Sequence, residues 1–180
     1  MTGESELALV EAAIDGDTDS FTQLAQRYYP AMVAIAHSVL GDRHFAEDAA
    51  QEAFAKAFCR LSKLRKKERF APWLATICRN VSRDMLRAKG RLGNPEDLTK
   101  VVIPCEDKDD ELTQAVREAV TGLSGSLKEV IFLRYYDGMP YDRISELLGI
   151  SKTAVDGRLR RAKKMLVKHL HRSGFIEDRS

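Results

Sequence analysis

Apolar residues recur at intervals of three and four along most of this chain, the period of an α-helix packed on one side. No stretch alternates long enough to make a convincing strand, and no internal repeat appears. Leu7, Val10 and Ile14 predict a short helix over 5–15 that ends at Gly16. Phe21, Leu24, Tyr28, Met32, Ile35 and Val39 predict a longer one over 19–40, which Pro30 should kink or locally open. Gly41 closes it and Asp42 can cap the next. That third helix, 43–61, turns Ala46, Ala49, Ala50, Ala53, Ala57 and Leu61 inward, small residues that permit close approach, with Phe54 and Phe58 adding bulk. A loop dense in Lys and Arg spans 62–70. Pro72 suits the first turn of a helix to 88, with Leu74, Ile77, Val81 and Met85 as its inner stripe.

From 90 to 104 the periodicity fails, punctuated by Gly90, Gly93, Asn94, Pro95 and Pro104. This stretch reads as a linker over 91–110 between a first domain, 1–90, and a second, 111–180. Asp109 or Asp110 can start a helix through Leu112, Val116 and Val120 that breaks at 122–125. Another, 127–136, carries Leu127, Val130, Ile131 and Leu133 and stops at Asp137-Gly138. Pro140 then opens a helix-turn-helix. Its first helix, 141–148, sets Ile144, Leu147 and Leu148 on one face, and Gly149 supplies the left-handed turn. Ser151 is the N-cap of a second helix with a buried stripe of Val155, Leu159, Ala162, Leu166 and Leu170. The expected fold is all-α, two small helical domains joined by a flexible linker, the C-terminal one a helix-turn-helix.

Charge changes the picture. The net charge is only +2, but the first twenty residues hold six acids and no base, and 60–91 holds eleven bases against Glu68 and Asp84. The sign reverses over 96–118, with eight acids against three bases, and 152–172 returns to eight bases against Asp156 alone. Two basic blocks separated by an acidic one suggest two contacts with nucleic acid. On the last helix Thr153, Gly157, Arg160, Arg161 and Lys164 project away from the buried stripe, with Lys152 at the start and Asp156 on the flank. A cationic helix after a tight turn fits a recognition helix in a major groove. A solvated helix of an ordinary bundle is the plainer alternative, and it leaves the one-signed charge unexplained.

With 180 residues, 44% of them hydrophobic and 31% charged, the chain has the composition of an ordinary soluble protein. No apolar run is long enough for a membrane span and the acidic N-terminus has no signal-peptide pattern, so no membrane insertion and a cytoplasmic location are expected. Cys59, Cys78 and Cys105 lack disulfide or zinc spacing and read as reduced, mostly packing residues. His37, His44, His169 and His171 lack a ligand or catalytic pattern. No cofactor and no metal are indicated.

The phrase HFAEDAAQEAFAKAFCRL, followed by RFAPWLATICRNVSRDMLR, resembles region two of the bacterial extracytoplasmic-function (ECF) RNA polymerase sigma factors. LSGSLKEVIFLRYYDGMPYDRISELLGISKTAVDGRLRRAKKML is similar to region four of the same family, and the two matches together run from about residue 19 to 170. The resemblance implies a non-enzymatic promoter-specificity subunit whose partners are core RNA polymerase, promoter DNA and an anti-sigma factor. Region two would bind the polymerase clamp and open the -10 element, region four would read the -35 element, and the acidic linker would enter the polymerase's RNA path.

On that resemblance Glu47, Asp48, Gln51 and Glu52 are candidates for polymerase binding, although charge runs are more often solvated faces. Lys66, Lys67 and Arg69 in the loop, with Arg79, Asn80, Arg83 and Arg87 on the following helix, are candidates for -10 DNA. Lys152, Thr153, Asp156, Gly157, Arg160, Arg161 and Lys164 are candidates for -35 DNA. Trp73 could stack on an unpaired base or sit in the core, and core burial is favoured. Two rival classes are a sigma-like decoy that binds only an anti-sigma factor and a dimeric repressor using the C-terminal motif alone. The first should have lost its cationic faces, and the second leaves 19–90 unexplained. Asp156 and Gly157 stand where the family pattern leads one to expect a basic and a small polar residue.

Overall fold

The computed structural model describes residues 5–92 and 111–176. Among these the chain is helical, without strands: α1 (Glu6–Ile14), α2 (Thr18–Leu40), α3 (Arg43–Arg60), α4 (Phe70–Leu92), α5 (Glu111–Thr121), α6 (Gly125–Ile131), α7 (Tyr141–Leu148) and α8 (Lys152–Arg172). α6 runs on into a π-helical turn, Phe132–Tyr136. The predicted linker lies outside the described residues except for positions 91 and 92, which extend α4 past Gly90.

Local chemistry sets most boundaries. Asp17 caps α2 by accepting from the amides of Asp19 and Ser20, and Gly41 ends that helix in the left-handed region at φ 71°. Bonding to the Ser20 hydroxyl, ahead of the two amides, holds the Asp17 carboxyl below its usual pKa. Asp42 caps α3 through the Phe45 amide. α2 runs unbroken through Pro30, because burial of 31–38 on every side outweighs one missing backbone hydrogen bond. The basic loop is not featureless. It forms two 3-10 turns, Leu61–Lys63 and Lys67–Arg69, and α4 starts at Phe70, two residues before Pro72.

The first four helices pack around the middle of α2. Ala46, Ala49, Ala50, Ala53 and Ala57 bring α3 close, and Phe70, Leu74, Ile77 and Val81 do the same for α4. The Cys78 thiol donates to the Met32 carbonyl at 3.3 Å, and burial pushes its pKa up to about 12, so this cysteine is a packing residue. Cys59 is exposed, contrary to the packing role expected of it, because it follows Phe58 onto the outer face of α3. Phe58 is itself 48% exposed, its ring at an edge-on angle to Phe21 with centroids 5.0 Å apart.

The remaining helices continue the same core. One cluster of buried residues runs from Leu9 through α2 and α4 to Leu133, Ile144, Val155 and Ala162. His37 of α2 is fully buried, its ring edge-on to Phe132 at 4.9 Å and Tyr136 at 5.2 Å. Several stripes are rotated or shorter than the sequence suggests. α1 buries Leu9, Val10 and Ala13 and leaves Leu7 exposed, whereas α5 uses Ala115, Ala119 and Val120 and leaves Leu112 exposed. α8 buries Val155, Leu159 and Ala162, but Leu166 and Leu170 are only half-buried. At about 1.5 Å per residue α8 is roughly twice as long as α5, so its second half outruns its partners.

Ile35, with no exposed surface, sits at the centre of this arrangement. Ile35→Ala is expected to cost about 2–5 kcal/mol of unfolding free energy, read from the urea midpoint, with the guanidinium or urea slope unchanged. A loss under about 1 kcal/mol would mean that the centre of α2 can collapse around a cavity.

Candidate nucleic-acid interface

Two cationic faces stand on different helices. α3 and α4 meet in a groove of about 410 Å³ lined by Lys56, Arg60, Asn80, Arg83, Asp84 and Arg87, floored by Ile77 and Val81. Asn80, Arg83 and Arg87 therefore converge as expected, and Arg87 also meets Asp84 at 3.2 Å. The sequence reading did not single out Lys56 and Arg60 as DNA contacts. Their spacing of four, one helical turn, was the available signal. Lys66 and Arg69 are exposed on the loop, while Lys67 is tied at 3.1 Å to Glu11 of α1. Trp73 is half-buried against Phe70, with ring centroids 6.0 Å apart, which agrees with a packing role. Arg79 departs from its group: its Nε donates to Glu129 of α6 at 2.5 Å.

The second face is the helix-turn-helix. Gly149 turns at φ 64°, and the Ser151 hydroxyl caps α8 by accepting from the Ala154 amide. A Cβ at Gly149 would make only ordinary contact with Pro72, at 3.5 Å, so the turn needs glycine for its left-handed conformation and not for space. Lys152, Thr153, Arg160, Arg161 and Lys164 are all exposed. Lys152 reaches Asp142 at 2.7 Å, and Arg161 donates to the Gly157 carbonyl at 3.1 Å. Asp156 grips Arg160 at 2.7 Å, one turn on. Such exposed pairs contribute about 0.3–0.5 kcal/mol, too little to explain an acid on a cationic face by stability. The pair holds the Arg160 guanidinium beside Asp156 on the outer face of α8. A Cβ at Gly157 would meet nothing within 4 Å, so no neighbour among the described residues requires glycine there.

The acidic set lies on α3. Asp48, Gln51 and Glu52 are exposed and Glu47 is half-buried. Arg43 binds Glu47 at 2.9 Å, a hydrogen bond that raises the arginine's pKa, and Lys56 binds Glu52 at 2.6 Å. Among the described residues no group of His, Cys, Asp and Glu could hold a metal, and no helix is long and apolar enough to cross a membrane.

The family model for sigma-70 region 2 matches residues 24–92, and that for sigma-70 region 4 matches 113–166, together more than half of the chain. The ECF RNA polymerase sigma factor SigW of Bacillus subtilis is 28% identical over 170 residues, covering 86% of this chain and 91% of that one. The chain belongs to the ECF sigma factors. A probable RNA polymerase sigma factor of Xanthomonas campestris, RfaY, is 30% identical over 162 residues; the match covers 84% of this sigma factor and 40% of RfaY's length. Among solved structures, CnrH in complex with the cytosolic domain of CnrY superposes with a TM-score of 0.63 at 27% identity, over 93% of this chain and 98% of that one. The sigma factor RpoE of Bartonella quintana, bound to the anti-sigma factor NepR, gives 0.52 at 27% identity, over 84% and 96%.

Arg160→Ala is expected to lose about 1–3 kcal/mol of promoter affinity if its guanidinium makes a bidentate base contact, and Asp156→Arg to change the -35 sequence recovered from a randomised pool. An identical consensus from wild type and Asp156→Arg removes any reading role for Asp156. Gly157→Ala should raise stability by about 1 kcal/mol in thermal unfolding, since the helix gains propensity without a clash. The same variant should bind the promoter more weakly if the backbone approaches the groove there.

Proposed function

We propose that this sigma factor joins core RNA polymerase in the cytoplasm and directs promoter-specific initiation, without being an enzyme itself. Residues 1–90 form the polymerase-binding and -10-opening domain, and 111–180 the -35-reading domain. The observation that carries the assignment is the ordered pair of region 2 and region 4 matches, each with a cationic surface of its own. In the first domain Arg83, Arg87, Asn80, Lys56 and Arg60 hold strand phosphates along the α3–α4 groove, and Lys66, Lys67 and Arg69 meet the bases at the point of opening. In the second, the exposed cations of α8 neutralise phosphates while Arg160, aimed by Asp156, reads a base edge. Glu47, Asp48, Gln51 and Glu52 give α3 an acidic face that steers it to a basic surface of the polymerase. An anti-sigma factor is a further partner, supported by the similar RpoE, which was solved bound to one.

The reading is tested by adding purified protein to core polymerase and mapping transcripts on genomic fragments. Discrete promoter starts are expected, absent with core alone. Glu47→Lys, Asp48→Lys and Glu52→Lys combined should lower affinity for core polymerase at unchanged helicity, because exposed charges steer association and add under about 1 kcal/mol each to stability. Wild-type affinity of that variant would remove α3's acidic face from the interface.

A further inference from the structure

α1 carries none of the functional residues described so far, and it precedes the region 2 match, which begins at residue 24. It is nevertheless firmly held. Leu9, Val10 and Ala13 are buried, the Ser5 hydroxyl caps the helix by accepting from the Ala8 amide, and Tyr28 of α2, itself buried, donates its hydroxyl hydrogen to the Glu6 carboxylate. Its open face is acidic: Glu11 and Asp15, one turn apart, are both exposed. α1 also packs against both 3-10 turns of the basic loop. There the Glu11 carboxylate meets the Lys67 ammonium at 3.1 Å, across fifty-six positions of sequence. An acid and a base from remote segments thus pair where a packed helix borders the loop that carries -10 candidates.

The loop has little else to fix its course. Between its two turns Leu64 is half-buried, but Arg65 and Lys66 are exposed and outside any helix. The second turn is closed by backbone bonds, from the Arg69 amide to the Lys66 carbonyl at 2.9 Å and from the Phe70 amide to the Lys67 carbonyl, and no side chain caps it. A single 3-10 turn has poorer hydrogen-bond geometry than an α-helical one, so its direction depends on what it rests against. We infer that Glu11 is a positioning residue for -10 recognition: by holding Lys67 it fixes the course of 66–69, so that Lys66 and Arg69 meet the opened strand from the side away from α1. The inference rests on the reading that this loop meets -10 bases, and it narrows that reading, since Lys67 becomes the link to α1. The acidic face contributes as well, because Glu11 and Asp15 repel phosphate and keep the strand's backbone off the α1 side. An exposed pair adds little to stability, so its loss alters selection without unfolding the domain.

The test uses the full chain assembled with core polymerase, on linear templates that carry the -35 sequence recovered with wild type and a randomised -10 element. Glu11→Gln should lower discrimination between the selected and a scrambled -10 element roughly two- to fivefold, at unchanged -35 preference and thermal midpoint. Glu11→Lys, which repels Lys67, should lower it further. Lys67→Glu should match Glu11→Lys, and combining the two, which reverses the pair, should recover most of the wild-type discrimination. The same -10 consensus from wild type, Glu11→Gln and Glu11→Lys overturns the inference, and a lowered thermal midpoint in those variants would then make α1 a purely structural helix. A reversed pair that discriminates no better than Lys67→Glu also overturns it, because Lys67 is then itself a DNA contact. Lys66→Ala and Arg69→Ala check the loop separately: if neither changes -10 selection, the assignment of the loop to -10 DNA fails whatever Glu11 does.

Discussion

The described helices are arranged around the second half of α2, a stretch buried on all sides. From 31 to 38 every residue of α2 is buried, so no direction around that turn and the next faces water. Such a helix has to be covered all round. Alanines of α3 cover one side at close range, the Leu74–Val81 stripe of α4 covers a second, and the α6 extension with Phe132 and Tyr136 covers the third. Burying one aliphatic side chain yields about 1.5–3 kcal/mol, and α2 buries several, which outweighs the local cost of Pro30.

That requirement explains which features could be read from the sequence. Elements defined by their own neighbours were legible: the Asp42 cap, the Gly41 stop, and the Ile144–Gly149–Ser151 corner all depend on residues within a few positions. The all-α class and the two-part organisation follow from the same local signals. What failed was phase. A three-and-four spacing shows that a helix has a face, but Leu7 and Leu112 show that it does not say which neighbouring stripe will be covered, because the covering helix is remote in sequence. The half-exposed Leu166 and Leu170 are a matter of length, since a periodic stripe gives no notice that its partner helix is shorter.

The candidate site divides along the same line. Asn80, Arg83 and Arg87 share a helix, so their convergence was predictable, as was the Asp156–Arg160 pair one turn apart. Lys56 and Arg60 join them from α3, and Glu129 reaches Arg79 across fifty residues, through contacts that exist only once α2 is enclosed. The surface pairs on α3 and α8 are weak and replaceable, while the Arg79–Glu129 pair sits in partial burial, where an unpaired charge is costly. Charge chemistry that is cheap in water is thus placed on exposed faces, and the most buried ion pair among the described residues is placed at the seam between α4 and α6.

The π-helical turn at Phe132–Tyr136 has a consequence for how this chain can change by insertion and deletion. A π turn is an α-helix that has accepted one residue too many. Loss of any one residue there would restore the regular ladder and rotate every downstream element by about 100° about the helix axis. Phe132 and Tyr136 would no longer both meet His37, and the helix-turn-helix would swing to another side of α2. A single codon in this stretch therefore fixes the bearing of the helix-turn-helix against α6 and against the side of α2 that α6 covers.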